Sequence, residues 1–220
     1  MNSVTVFRTR AQGGVAAPVL VLAHGAGAPA DSPFMELLAA ALSAQGVTTV
    51  RFEFPYMEKR RQDGKKRPPD RQPALLEHFR TVIAEACAGP DAQAGVFVGG
   101  KSMGGRMASL LAAEAGIEDT VRGAVCFGYP FHPPGKRDQW RTDHFQTLRR
   151  PIQIIQGTRD PFGKKAEVDA RNLDEMANVS LAWLEGGDHD YQPLARQSET
   201  REDLIQQAAA TAAGFMMALD

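Results

Sequence analysis

The sequence of 220 residues predicts an α/β fold, a mostly parallel sheet of about seven strands with helices on both faces. Short apolar runs, typical of strands buried on both faces, alternate with longer segments whose apolar residues recur at helical spacing. The strand candidates are Val4–Arg8, Val19–Ala23, Thr48–Phe52, Gly95–Gly99, Gly123–Phe127, Ile152–Gln156 and Ser180–Leu184. In such sheets, ligands bind beyond the carboxyl ends of the strands.

Four helices are predicted between and after these strands. Ser32 and Pro33 are typical of a helix start, and Gly46 marks the end of that helix. The other three are the apolar stripe from Leu75 to Ala86, the segment Met103–Ala115 and the C-terminal stripe from Leu204 to Met216.

The composition predicts a globular protein with a single domain over residues 1–220. Apolar residues make up 43% and charged residues 23%, and the net charge is −1. These values argue against a disordered chain, a nucleic-acid-binding protein and a protein of anionic membranes. Cys87 and Cys126 have no metal-site spacing, so we expect buried thiols, no metal and a cytoplasmic location.

A secretory leader is the alternative at the N terminus. Arg8 and Arg10 precede the apolar run Val15–Ala23, and small residues follow it, which matches the outline of a signal peptide. Pro18 and the shortness of the run favour a strand within the fold.

Two basic segments interrupt the alternation and are predicted to be loops. Phe54–Pro73 has seven Lys/Arg against three Asp/Glu, and Gly128–Pro151 has five against two, with four prolines in each. Both follow strand ends, where either a solvated surface or a substrate rim is expected. The rim hypothesis assigns the attraction of an anionic substrate to Lys59, Arg60, Arg61, Arg137 and Arg141.

The most informative motif is Gly100-Lys-Ser-Met-Gly104, which fits the pattern G-x-S-x-G. An apolar strand precedes it and a helical segment follows it, as this turn requires. Such a turn exposes the hydroxyl of Ser102 and places the N–H of Met103 where it can stabilise an oxyanion. We therefore predict that Ser102 is a nucleophile.

Two further residues complete a catalytic set. Asp160 follows the strand Ile152–Gln156, and His189 follows the last strand. Their order in the chain, serine before acid before histidine, is that of the α/β-hydrolase triad. Rival groups are less suitable: Asp188 and Asp190 adjoin His189 in the chain, and the alternative bases His132 and His144 lie in the second basic segment.

Backbone and side-chain contacts to substrate are predicted near the first strand and the nucleophile. The small residues after Ala23 let the N–H of Ala26, or alternatively of Gly27, approach a substrate carbonyl. The candidate substrate-binding side chains are His24, Lys101, Tyr129 and Trp140. His24 is better suited to hold its loop by hydrogen bonds than to act as a base, and Lys101 and Arg106 could each form a structural ion pair.

Two rival motifs predict nucleotide binding. Gly95-x-x-x-x-Gly100-Lys101-Ser102 matches a P-loop, but its intervening residues form the strand itself. Gly25-x-Gly27-x-x-Ala30 matches a dinucleotide fingerprint, with Glu53 near the position of a ribose-binding acid. Pro29 removes one N–H from that phosphate cradle, so we rank this hypothesis second among the catalytic ones.

Several blocks resemble small bacterial α/β hydrolases related to dienelactone hydrolase. They are Leu22–Ala28, Phe52–Tyr56, Gly99–Arg106, Tyr129–His132, Gln156–Phe162 and Gly187–His189. The resemblance is greatest to the branch that includes the animal KAT8 regulatory complex subunit 3 and testis-expressed hydrolase-like proteins. It implies an α/β-hydrolase fold without a large cap domain and the roles given above. Dienelactone hydrolases themselves use a cysteine nucleophile, so Ser102 puts their substrate in doubt.

The sequence thus predicts a serine hydrolase that cleaves a small-molecule carboxylic ester or thioester without a cofactor. The alternative is an interaction protein on an inactive hydrolase scaffold, because the animal relatives act as complex subunits. We expect neither nucleic acid nor a membrane as partner, and a homodimer is left open.

Overall fold

A computed structural model describes residues 4–13, 17–89, 93–117, 119 and 121–219. Within these residues, seven strands form one sheet in the order β1-β3-β2-β4-β5-β6-β7, in which β1 pairs antiparallel with β3 and the other neighbouring strands pair parallel. The strands are β1 (Val6–Thr9), β2 (Val19–Ala23), β3 (Thr48–Phe52), β4 (Val96–Lys101), β5 (Val121–Phe127), β6 (Ile152–Gly157) and β7 (Val179–Leu184).

The described part of the chain has six α-helices around the sheet: α1 (Pro33–Ala44), α2 (Pro55–Asp63), α3 (Gln72–Cys87), α4 (Met103–Ala113), α5 (Lys165–Asp169) and α6 (Arg201–Met217). The buried side chains form two apolar clusters, one on each face of the sheet. Helices α3 and α4 contribute to one cluster, and α1 and α6 contribute to the other. The predicted fold class is therefore confirmed.

The strand boundaries differ slightly from those predicted. β4 extends to Lys101 and β6 extends to Gly157, because their polar or glycine ends still pair with the neighbouring strands. The predicted N-terminal apolar run begins with Val15 and Ala16, which lie outside the described residues.

The prediction of a loop over Phe54–Pro73 is wrong in two places. The first half of the segment forms α2, and its last two residues begin α3. Pro55 occupies the start of α2, where a fixed φ favours the helix and no N–H is needed. Gly64 ends α2 in the left-handed conformation, with φ of 71°. Tyr56 and Met57 are buried against the core, which anchors an otherwise polar helix.

The segment Gly128–Pro151 contains one short 3-10 helix, Asp143–Thr147, and otherwise no helix or strand. Three of its aromatic side chains, Tyr129, Phe131 and Phe145, are buried in the cluster beneath α3 and α4. The segment is therefore packed into the core rather than solvated along its length.

Among the helices that the structure describes, none has the length and the apolar character that a membrane crossing requires.

Candidate active site

Ser102 lies on a tight turn between β4 and α4. Its backbone has φ of 51° and ψ of −114°, a conformation that residues other than glycine rarely adopt. The strand and the helix cross closely, since a Cβ atom on Gly100 would overlap the backbone of Gly104. A Cβ atom on Gly104 would lie 2.5 Å from the carbonyl oxygen of Ala23. Both glycines are therefore required for a turn that presents the Ser102 hydroxyl above the sheet.

The structure brings Ser102, His189 and Asp160 together. Nε2 of His189 lies 2.9 Å from Oγ of Ser102, and Nδ1 of His189 lies 2.7 Å from Oδ2 of Asp160. The histidine follows β7 and the aspartate follows β6, so parallel strand ends deliver both side chains to the serine turn. This arrangement can accept the proton of the serine hydroxyl at Nε2 while the carboxylate holds Nδ1–H.

Asp160 is fully buried and receives two further hydrogen bonds. The Phe162 N–H donates to Oδ1 at 2.8 Å, and the Gln156 side-chain amide donates to Oδ2 at 2.9 Å. The Phe162 ring also packs on the His189 ring, with centroids 4.3 Å apart. Sequence reasoning missed Gln156, although a glutamine in an apolar strand was an available signal.

The loop after β2 is held in place by the side chain of Tyr56 in α2. The Tyr56 hydroxyl lies 3.0 Å from the Ala26 carbonyl oxygen and 3.4 Å from that of Gly25. Because N–H and C=O point in opposite directions across a trans peptide, the N–H groups of Ala26 and Gly27 face away from Tyr56. Ala26 and Gly27 line the cavity that contains Ser102. The sequence contains no signal that Tyr56 contacts this loop, because the segment around Tyr56 is itself predicted to be a loop.

His24 fixes the same loop and does not line the cavity, which corrects its assignment as a substrate-binding residue. Its fully buried ring accepts the Phe54 N–H at Nε2, 3.1 Å away, and donates from Nδ1 to the Gly25 carbonyl, 2.7 Å away. Burial lowers the pKa of His24, which is consistent with the neutral ring that these two bonds require.

Met103 is the first residue of α4, so its N–H is among the donors that have no partner within the helix. It directly follows Ser102, and its position agrees with the predicted oxyanion role. The N–H groups of Met103, Ala26 and Gly27 are thus the candidate donors around the serine.

A cavity of about 310 Å³ opens beside Ser102. Phe34 and Met35 of α1 and Phe162 supply apolar walls, and Lys101 and Asp190 supply polar groups. The Lys101 ammonium donates to the His189 carbonyl oxygen at 2.7 Å, and burial lowers the pKa of Lys101. Of the four predicted substrate-binding side chains, Lys101 lines this cavity.

Tyr129 and Trp140 lie away from the cavity, which corrects their predicted role. Tyr129 is fully buried, and its hydroxyl donates to the Arg141 carbonyl at 2.8 Å. The Trp140 indole donates to the Arg137 carbonyl at 2.8 Å, and the Arg171 guanidinium covers its ring. Their side chains point into the packed segment rather than toward Ser102.

The two rival histidines contact other groups. Nε2 of His132 lies 3.3 Å from the Glu167 carboxylate, and Nε2 of His144 lies 2.8 Å from the Ser109 hydroxyl. Burial, and then the charge of Arg106, lower the pKa of His144 to about 4. Neither ring hydrogen-bonds to Ser102.

Three of the five residues of the proposed cationic rim are engaged within the protein. Arg60 donates to the Gly27 carbonyl oxygen at 2.9 Å. Arg61 forms ion pairs with Glu53 at 2.6 Å and with Asp31 at 2.8 Å, and Arg137 pairs with Glu167 at 2.7 Å. Because the Arg61 and Arg137 charges are already paired with carboxylates, they give less support to an anionic substrate than their number in the sequence indicates.

Neither nucleotide-binding motif has the structural surroundings that nucleotide binding requires. Glu53 is fully buried, bound to Arg61, and accepts the Ala30 N–H at 3.2 Å, so it is not placed to bind a ribose. The loop positions of the P-loop pattern fall within β4. Over the residues described, no cluster of three His, Cys, Asp or Glu side chains could hold a metal ion.

Solved structures share this architecture at low sequence identity. Est1E from Butyrivibrio proteoclasticus, in a structure with ferulic acid bound, has a TM-score of 0.71 and 14% identity, covering 98% of this chain and 96% of that one. A dienelactone hydrolase from Anabaena variabilis has a TM-score of 0.70 and 19% identity, covering 98% and 92%. An α/β serine hydrolase without lid from Xanthomonas campestris has a TM-score of 0.65 and 18% identity, covering 98% and 87%.

At these identities the solved structures show the fold alone, and the branch with the animal complex subunits stays a prediction. The family comparison extends further, because the model described as an alpha/beta hydrolase domain matches residues 16–217. This match spans most of the chain, and the protein therefore belongs to the alpha/beta hydrolase domain family.

Proposed function

We propose that this protein is a serine hydrolase that cleaves a carboxylic ester or thioester through a covalent acyl-enzyme. The observation that carries the proposal is the unbroken hydrogen-bonded path from Ser102 through His189 to the buried carboxylate of Asp160. A serine hydroxyl is a weak nucleophile until a positioned base removes its proton, and this path provides that base.

In the first half-reaction, Oγ of Ser102 attacks the substrate carbonyl carbon while Nε2 of His189 takes the hydroxyl proton. Asp160 orients the imidazole and stabilises its positive charge. The N–H groups of Met103 and of Ala26 or Gly27 donate to the oxyanion of the tetrahedral intermediate. His189 then protonates the leaving alcohol or thiol, and the acyl group remains on Ser102.

In the second half-reaction, a water molecule replaces the leaving group. His189 takes a proton from this water, whose oxygen attacks the acyl carbon, and then returns the proton to Ser102 as the carboxylic acid departs. Each step uses groups of this chain and water. The Gln156 and Tyr56 hydrogen bonds support the geometry, because they fix the carboxylate and the oxyanion loop respectively.

A fluorophosphonate probe tests the proposal, because it reacts only with an activated serine. We expect a single adduct on Ser102, located by peptide mass spectrometry, that disappears in Ser102→Ala and His189→Ala. Ser109→Ala is the matched control, since Ser109 also contacts a histidine but is buried. The Ser109→Ala variant should still label at Ser102. A folded protein that does not label at Ser102 would instead favour the inactive interaction protein.

A further inference from the structure

The cavity beside Ser102 has a charged pair in its wall. Phe34, Met35 and Phe162 line it with apolar surface, whereas Lys101 and Asp190 contribute a cation and an anion to the same wall. Nζ of Lys101 lies 3.3 Å from Oδ1 of Asp190. Catalysis as proposed above uses neither charge directly, so both charges on the cavity wall are available to contact a substrate.

Lys101 is held in a fixed position next to the nucleophile. It ends β4, and its Nζ donates to the His189 carbonyl at 2.7 Å and lies 5.2 Å from the centroid of the Phe34 ring. Its side chain is only 8% exposed. An ammonium has three N–H donors, and the described residues give it two oxygen partners. Because Lys101 lines the cavity, a ligand there can accept the third N–H.

The charges around Lys101 favour a neutral ligand group over an anion. Asp190, Asp160 and Asp188 all act on the Lys101 ammonium, and the Arg201 guanidinium acts on Asp190, so three carboxylates face two cations here. A substrate carboxylate would be repelled by the three carboxylates. The Asp190 carboxylate is 64% exposed and can still accept a hydrogen bond. A hydroxyl group matches both partners, because it can accept from Lys101 and donate to Asp190.

We propose that Lys101 and Asp190 form a recognition site for a hydroxyl group of the substrate, so that the hydrolase prefers hydroxyl-substituted esters. This inference rests on the proposed function. The cavity volume of about 310 Å³ suits a short chain or one ring beside the scissile bond, and its apolar walls suit the carbon skeleton.

The test compares matched substrates that differ by one hydroxyl. The acyl series is p-nitrophenyl butyrate, both enantiomers of p-nitrophenyl 3-hydroxybutyrate and the anionic p-nitrophenyl hemisuccinate. The alcohol series is propyl butyrate and 2-hydroxyethyl butyrate. We expect kcat/KM to be about tenfold higher for the hydroxylated member of one series, as one added hydrogen bond allows.

The variants Lys101→Met and Asp190→Asn should bring this ratio close to one. Lys101→Met should also lower kcat/KM for both the hydroxylated and the unsubstituted substrate, because Lys101 contacts His189. This common loss cancels in the ratio of the two values, which therefore reports on hydroxyl recognition alone. Lys66→Met, an exposed lysine outside the cavity, should keep the wild-type ratio.

The outcomes separate this inference from the proposed function. A protein that labels at Ser102 but shows no preference for a hydroxyl in either series, or prefers the hemisuccinate, contradicts the recognition site alone. A ratio that survives in both Lys101→Met and Asp190→Asn also contradicts it. A folded protein that neither labels nor hydrolyses any ester contradicts the proposed function, and this inference fails with it.

Discussion

Oδ2 of Asp160 accepts hydrogen bonds from two sides, from Nδ1 of His189 at 2.7 Å and from the Gln156 amide at 2.9 Å. The carboxylate cannot rotate freely between these donors, because its other oxygen is bonded to the Phe162 N–H. With Nδ1 committed to the carboxylate, the imidazole presents an unprotonated Nε2 to Ser102. Asp160 thus sets the tautomer and the orientation of the imidazole, and Gln156 fixes the Asp160 carboxylate without a hydrogen bond of its own to the histidine.

Asp160→Asn should reduce kcat for p-nitrophenyl acetate by about 10⁴, because an amide at this position favours the wrong histidine tautomer. Circular dichroism should remain native. Asp188→Asn is the control, since Asp188 accepts two backbone N–H groups in its turn and does not bond to His189. Similar losses in the two variants would contradict the assignment of Asp160 as the orienting acid.

Tyr56→Phe should lower kcat about tenfold with little change in KM, because the loop N–H groups matter most when the oxyanion forms. Steady-state kinetics on one activated ester measure both constants. Tyr129→Phe removes another buried hydroxyl, which bonds to the Arg141 carbonyl away from the cavity, and should leave kcat unchanged. An unchanged kcat in Tyr56→Phe would show that the loop is held without its hydroxyl.

Residues whose positions follow from strand ends could be predicted from the sequence. Ser102, Asp160 and His189 each follow a short apolar run, and parallel strands deliver their carboxyl ends to one edge. The turn around Ser102 also carries its own local signal, since the flanking glycines are required by the crossing of β4 and α4.

Residues that act through long-range contacts could not be predicted. Tyr56 reaches Ala26 across 30 positions of the chain, from a segment whose prolines and charges indicated a loop. Tyr129 and Trp140 were expected at the site because they lie in a segment that follows a strand. The direction of an aromatic side chain depends on the packing around it, and here Tyr129 is buried in the core.

The close approach of Gly104 to the end of β2 also affects the stability of the protein. Gly104→Ala should destabilise the protein by about 3 kcal/mol or more, because its Cβ would lie 2.5 Å from the Ala23 carbonyl oxygen. Gly214→Ala, in α6 with open space around its Cβ, should stabilise by about 1 kcal/mol. Urea unfolding measures both changes, and equal effects of the two substitutions would contradict the close crossing at the serine turn.

The partly buried ring of His144 should make stability depend on pH. Burial and Arg106 lower its pKa to about 4, against 6.5 for the unperturbed side chain. Between these values the unfolded state binds a proton that the folded state does not, so stability is full above pH 6.5 and declines as the pH falls. The expected loss from this residue between pH 7 and pH 5 is about 2 kcal/mol.

The variant His144→Gln isolates that contribution, because the glutamine amide can still bond to Ser109 but does not titrate in this range. Urea unfolding at pH 7 and pH 5 should show a smaller loss in the variant than in the wild type, by about 2 kcal/mol. All other titrating groups, including the buried His24, are common to both proteins and cancel in the difference. Equal losses in the two proteins would mean that the His144 ring is accessible to protons in the folded state.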